Sequence, residues 1–291
     1  MNSVRFRHES RFGLREISLG KLASIWRRSV SRYSFESNWK GELIHRKLRD
    51  EMWFLSLNSH SFCSQLPDLF PLCRAHTAPV LDTHWSPFDD SLVASVGEDG
   101  KLALTKIDDA LLQDAWSGDR KDLPDLEPIW STSAHGRKAG HVRFHPSASN
   151  VLATASTDVK IWDLESQKAV CTSETHSDMV QSIDWDWCGA LYATTCKDKK
   201  LRLFDPRAGA EAVTVADSHS GVKGSRVTWC GDKDRMITTG FSRTSERQVF
   251  MWDSRDISKG PIKQMGIDQS SGMLMPFFNA GNKCAALVVV F

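Results

Sequence analysis

The stretch Leu152-Ala153-Thr154-Ala155-Ser156-Thr157-Asp158-Val159-Lys160-Ile161-Trp162-Asp163 decides the fold. Two short runs of small, β-branched and aromatic residues flank a polar turn, which predicts a tight antiparallel hairpin. His135 stands 23 residues before Asp158, and Thr154 stands four before it. The same set recurs on both sides. His76, Ser95 and Asp99 keep the intervals of 23 and four, and His176, Thr194 and Asp198 give 22 and four. A fourth segment has His219, Met236-Ile237-Thr238 and Trp252, with Ser242 at the Asp position 23 residues after His219. Successive histidines are 59, 41 and 43 residues apart, the first interval being lengthened by an acidic, Pro-containing insertion at 108–128. Each unit predicts three or four antiparallel strands.

A period of 41–43 closed by Trp-Asp is the signature of WD repeats, each of which folds one blade of a β-propeller. The predicted class is therefore all-β. In that family the His, the turn Asp, the Ser/Thr and the Trp form a buried hydrogen-bond relay. They recur together because a buried polar group without a partner costs ~1–3 kcal/mol. His76, Ser95 and Asp99 make one expected set, and His135, Thr154, Asp158 and Trp162 a second. His176, Thr194 and Asp198 make a third with Phe204 replacing Trp, while His219 and Trp252 belong to the fourth. Repetition at fixed spacing assigns these groups to blade stability rather than to acid–base or metal chemistry. Trp85, Trp185 and Trp229 share a strand-core position, which accounts for part of the eleven Trp set against two Tyr.

Hairpin lengths vary. Asp158 to Trp162 is four residues, whereas Asp99 to Thr105 and Asp198 to Phe204 are six, so the second blade should change turn type or register. In the fourth unit Ser242 lies ten before Trp252, which predicts a turn four residues longer holding Arg243, Glu246 and Arg247.

Composition narrows function. Over 291 residues the net charge is +1, with 41% hydrophobic and 25% charged residues, as in a soluble globular protein. The longest apolar run, at 285–291, is far below the ~20 residues of a membrane span, and the first thirty residues lack a secretory core. Seven unpatterned cysteines argue against a disulfide scaffold and for a reducing cytosol. Neither a phosphate-cradling Gly loop nor an HExxH pattern occurs. Cys188 and Cys196, eight apart and expected on neighbouring strands, lack a set of four zinc ligands. No enzyme activity, cofactor, metal or nucleic-acid partner is expected. Residues 1–49 carry +8 and the remainder −7, so a basic N-terminal segment precedes an acidic body.

Within the repeat the wording narrows further. Leu66-Pro67-Asp68-Leu69-Phe70-Pro71-Leu72-Cys73-Arg74-Ala75-His76-Thr77-Ala78-Pro79-Val80-Leu81-Asp82-Thr83 and Trp85-Ser86-Pro87-Phe88-Asp89-Asp90 resemble the first blade of coronins. Cys196-Lys197-Asp198-Lys199-Lys200-Leu201-Arg202 resembles their third-blade turn. Thr238-Thr239-Gly240-Phe241-Ser242-Arg243-Thr244-Ser245-Glu246-Arg247-Gln248 is similar to a characteristic coronin run, with Thr244 where the family has Met. Ser271-Gly272-Met273-Leu274-Met275-Pro276-Phe277-Phe278 resembles a fifth-blade strand, and the insertion at 108–128 is most similar to fungal coronins. The resemblance implies a seven-bladed propeller that binds filamentous actin as a cytoplasmic adaptor of the actin cytoskeleton. Full-length relatives add a coiled coil that oligomerises and engages the branching complex of actin-related proteins. About four and a half blades are expected here, at 66–284, after a divergent basic segment at 1–65 and before a non-matching apolar tail at 285–291. That pattern reads as a truncated product without the coiled coil, and thus without a coiled-coil oligomer. The alternative is a generic WD-repeat scaffold for another complex.

Actin is acidic, so basic rim residues are the first candidates. They are Arg243 and Arg247 on the long turn, Lys199, Lys200 and Arg202 at the third turn, and Arg15 as the nearest counterpart of an N-terminal actin-contacting Arg. For Lys199 and Lys200 the competing reading is solvated turn charge, and for Arg243 an internal pair with Glu246. The basic N-terminal segment could bind actin or anionic lipid. Its Arg- and Ser-rich composition also fits a mitochondrial transit peptide, against which its four acids count.

Overall fold

A computed structural model describes residues 72–107, 124–279 and 284–290; Arg15 and the segment 1–71 lie outside it. Each repeat becomes one four-stranded antiparallel sheet in simple meander order. The first contains β1 (Val80–Trp85), β2 (Leu92–Gly97), β3 (Lys101–Lys106) and β4 (Pro128–Ser133). The second has β5 (His141–Phe144), β6 (Val151–Ala155), β7 (Val159–Asp163) and β8 (Lys168–Ser173). The third has β9 (Val180–Trp185), β10 (Tyr192–Cys196), β11 (Lys200–Phe204) and β12 (Ala212–Asp217). The fourth has β13 (Arg226–Trp229), β14 (Arg235–Phe241), β15 (Arg247–Asp253) and β16 (Lys263–Gly266). β17 (Met273–Asn279) pairs with β18 (Cys284–Val290) in a two-stranded fifth sheet, so the apolar tail is a strand in register with β17.

The innermost strands β1, β5, β9, β13 and β17 neighbour one another in sequence, as propeller geometry requires. Their side chains stitch the blades together. Asp82 accepts from the Val142 N–H at 3.1 Å, and Ser182 from the Val227 N–H at 3.3 Å. Two residues on, His84 accepts from the Phe144 N–H at 3.1 Å, and Asp184 from the Trp229 N–H at 3.0 Å. Asp82 is fully buried and bonds Arg143 at 2.9 Å, which holds its carboxyl low against the desolvation that would raise it.

The core lies between blades, which explains the strand compositions. Ala94, Val96, Leu102 and Leu104 meet Val142, Phe144, Leu152 and Trp162 across the first interface. Ala153, Ala155, Val159 and Ile161 meet Ile183, Trp185, Tyr192 and Phe204 across the second, and Leu201 and Leu203 meet Trp229, Met236 and Trp252 across the third. Second strands are covered on both faces and therefore read as unbroken runs of small and apolar residues. Outer strands such as β4 and β12 alternate because one face meets solvent.

Hairpin length changes without changing which face a residue occupies. Trp162 lies opposite Leu152, Phe204 opposite Tyr192, Trp252 opposite Met236 and Thr105 opposite Val93. In every blade that partner is two residues before the relay Ser/Thr. The shortening in the second blade falls in its turn and leaves this register intact. Nor is the fourth turn longer: the extra residues lengthen the ladder to the Phe241–Arg247 pair, so Arg247 belongs to β15. Because all the changes are even-numbered, the two-residue side-chain period is preserved. Cys188 and Cys196 are not on neighbouring strands. Cys188 is exposed in the β9–β10 turn and Cys196 is buried at the far end of β10.

Candidate partner-binding face

The relay holds in full in the first two blades. His76 Nδ1 lies 3.0 Å from Asp99 and its Nε2 2.9 Å from Ser95. His135 Nδ1 lies 2.8 Å from Asp158 and its Nε2 2.7 Å from Thr154, and the Trp162 indole N–H donates to the same hydroxyl at 2.9 Å. A proton sequence follows from these partners: the indole donates to the hydroxyl, the hydroxyl to Nε2, and Nδ1–H to the carboxylate.

Two sets depart from expectation. His176 Nε2 reaches Thr194 at 2.9 Å, yet Asp198 is not on His176. Arg202 takes it in a fork of 3.1 and 2.6 Å, with both side chains nearly buried. The register puts Arg202 opposite Thr194, where the first blade has Ala103 opposite Ser95. The guanidinium thus stands over the carboxylate that the histidine would otherwise hold. Burial, reinforced by the Arg202 charge, pushes His176 down to about 4. Burial opposes ionisation of Asp198, but its bonds to Arg202 and Ser177 outweigh that and keep it well below the carboxylate range. In the fourth blade His219 bonds Thr238 at 3.0 Å, and Trp252 donates to that hydroxyl at 2.8 Å. Ser242 spends its hydroxyl on the N–H groups of Thr244 and Glu246 in its own turn. Burial again takes the histidine, here His219, down to about 4.

Antiparallel alternation sends the second-to-third strand turns and the His-bearing loops to one face of the propeller. Hydrogen bonds join the two loop sets, as from Ala139 to Gly97, Lys197 to Met179 and Gly221 to Phe241. This face gathers the exposed cations Arg137, Lys138, Lys197, Lys199, Lys200, Lys223 and Arg243. Among the described residues only Lys197 of this group has an ion partner, Asp178 at 3.9 Å. Facing them are the exposed acids Glu98, Glu174 and Asp217. On the opposite face Arg207 is spent on Asp205, Arg235 and Arg255 on Asp253, and Lys259 on Asp256, while Lys106, Lys168 and Lys233 are exposed without an ion pair among the described residues. Desolvating unpaired surface cations against an acidic partner yields complementarity that self-paired ones cannot.

The sequence candidates divide accordingly. Lys199 and Lys200 are exposed on this face, Lys199 in a left-handed turn conformation at φ 69°. Arg243 is exposed as well and has no ion pair with Glu246, whose carboxylate packs over Gly266 instead. Arg202 and Arg247 do not present their charge. Arg202 is 6% exposed and committed to Asp198; Arg247 is also 6% exposed and committed to Asp268, whose carboxylate holds the guanidinium pKa up. Arg137, Lys138 and Lys223 were missed by sequence reasoning. Their signal is an offset of two to four residues after a relay histidine, which places them in the loop beside the turns. Among the described residues, no group of three or more His, Cys, Asp or Glu side chains could hold a metal ion.

The WD domain, G-beta repeat family matches residues 167–205, which run from β8 of the second sheet through β11 of the third. A coronin-like protein of Saccharomyces cerevisiae is 42% identical over 226 residues, covering 76% of this chain and 34% of that protein. Coronin-like protein crn1 of Schizosaccharomyces pombe is 41% identical over 75% of this chain and 35% of its own, and human Coronin-2A 36% over 78% and 42%. The WD40 domain of Toxoplasma gondii coronin superposes with a TM-score of 0.64 at 28% identity, covering 72% of this chain and 52% of that one. The chain therefore spans about a third to two-fifths of the curated relatives it matches. With repeat, wording and backbone in agreement, this chain, a WD-repeat β-propeller, belongs to the coronin family.

Proposed function

We propose that this chain is an actin-filament-binding adaptor of the cytoplasmic actin cytoskeleton, using its basic turn face. The observation that carries the reading is the set of unpaired, exposed cations, Lys199, Lys200 and Arg243 chief among them, on the face that the relay histidines brace. The acidic surface of a filament is a fitting partner for such a face. Family membership supports the same partner. The relay groups are spent inside the blades, where they brace the turns of this face.

Cosedimentation with actin filaments at low salt tests the proposal. The folded chain should pellet with filaments, and added salt should weaken binding as rim charges are screened. The Lys199→Glu/Lys200→Glu/Arg243→Glu variant should lose binding to near background with its thermal midpoint unchanged. A folded wild-type chain that stays in the supernatant refutes actin binding. A charge-reversed variant that pellets like wild type refutes the face assignment.

A further inference from the structure

We infer that Val222 is an apolar anchor set within the basic face, so that the acidic protein bound there contributes an apolar socket beside its carboxylates. The inference rests on the reading of this face as the actin-binding surface and identifies what the contact contains besides charge. Val222 is 81% exposed, the highest among the exposed large apolar residues described. Other strongly exposed ones, such as Val170 at 71%, Ile129 at 62% and Val213 at 59%, sit on outer strands, where one face of each blade's last strand meets water. Trp187 and Phe88 occupy turns of the opposite face. Val222 is thus without an architectural reason for its exposure.

Its loop is also held rigid. The Gly221 N–H donates to the Phe241 carbonyl at 2.8 Å, and a Cβ at Gly221 would stand 2.5 Å from that oxygen, so only glycine permits the approach. Lys223 lies with its Nζ 4.7 Å from the centre of the buried Phe241 ring. Beyond it the Ser225 N–H and hydroxyl both bond Gln181 of the third blade, at 2.9 and 3.0 Å. The loop is thus tied to the fourth-blade turn on one side of Val222 and to the third blade on the other. Val222 stands next to Lys223 in a loop bonded at Gly221 to Phe241, two residues before Arg243 in the neighbouring turn. An apolar side chain exposed on a tethered loop of a basic face offers surface to bury against a partner at little ordering cost.

Cosedimentation across a salt series, with wild type, Val222→Ser, Val222→Ile and Arg243→Glu, separates the two contributions. Val222→Ser should weaken filament binding roughly tenfold, as expected when the burial of one valine side chain is lost, with the slope of log affinity against log salt unchanged. Val222→Ile should bind within about twofold of wild type, as a volume-tolerant apolar swap does. Arg243→Glu should reduce the slope, since one charge contact is gone. Wild-type binding with Val222→Ser equal to it overturns the anchor and leaves the actin reading standing. A Val222→Ser slope reduced like that of Arg243→Glu also overturns it. Absence of wild-type binding overturns the actin reading itself.

Discussion

Replacing Thr154 by Val measures what the relay contributes. Thr154 is wholly buried, and its hydroxyl serves two partners, accepting from the Trp162 indole at 2.9 Å and meeting His135 Nε2 at 2.7 Å. Valine has nearly the same shape, so no cavity accompanies the change. What remains is an indole N–H and an imidazole nitrogen, both buried and both orphaned. Each orphan costs ~1–3 kcal/mol, so the substitution should cost about 2–6 kcal/mol. The third blade supplies the control. Phe204 replaces Trp there and has no donor, so Thr194→Val orphans only His176 Nε2 and should cost about 1–3 kcal/mol. Thr238→Val should match Thr154→Val, because Trp252 and His219 use that hydroxyl at 2.8 and 3.0 Å. Urea unfolding near pH 7.5 reads all three, with the Thr154→Val/Trp162→Phe double variant closing the cycle. A Thr154→Val cost no larger than that of Thr194→Val, or additivity in the cycle, would refute the relay as the source of the energy.

Acid should weaken the fold before its carboxylates titrate. His176 and His219 sit near 4 in the folded state against an ordinary value of 6.5, so the unfolded chain binds more protons and stability falls as pH drops from 6.5 toward 4. Burial pushes His141 down as well, so unfolding free energy measured across that window should decline with a slope of up to three protons, and His176→Gln should remove about one of them. Gly240→Ala should cost about 1–3 kcal/mol in urea unfolding, because its Cβ would stand 2.4 Å from the His219 ring, itself stacked on Phe250 at 4.1 Å. Arg202→Ala should release Asp198 to His176 and recreate the first-blade arrangement. NMR titration should then show the His176 pKa rising from about 4, and an unmoved value would refute capture by Arg202.

What the sequence conveyed well was whatever depends on short-range spacing. Ser95, Thr154 and Thr194 each precede a turn Asp by four, and that interval survives the change in turn length because the difference falls after the Asp. The succession of hairpins and the complete relays of the first two blades follow from it. The missed features needed register. Arg202 is four residues from Asp198 on the far side of a turn, and the two meet only because Thr194 and Arg202 are cross-strand partners. Arg247 meets Asp268 from across β16, 21 residues on, so both arginines looked free in the sequence and are spent in the fold. The basic face was half legible, since its turns were visible. The loops bearing Arg137, Lys138 and Lys223 join it only through hydrogen bonds to the next turn.

The two altered relays and the two most basic turns occur in the same blades, and the chemistry gives a reason. In the first blade Asp99 both holds His76 and accepts from the Lys101 N–H, so the histidine and the turn share one carboxylate. In the third blade Asp198 still accepts from the Lys200 N–H at 3.1 Å, but its other bonds go to Arg202 and Ser177. In the fourth, Ser242 closes the turn with the N–H groups of Thr244 and Glu246. The turns that present Lys199, Lys200 and Arg243 are therefore held by groups that do not titrate between pH 6.5 and 4, and the folded chain's His176 and His219 stay neutral over most of that window, so the proton uptake comes with unfolding. Fold stability and partner binding are uncoupled with respect to protons. Mild acid should lower the unfolding free energy while the face, in the fraction still folded, keeps its geometry and its charge.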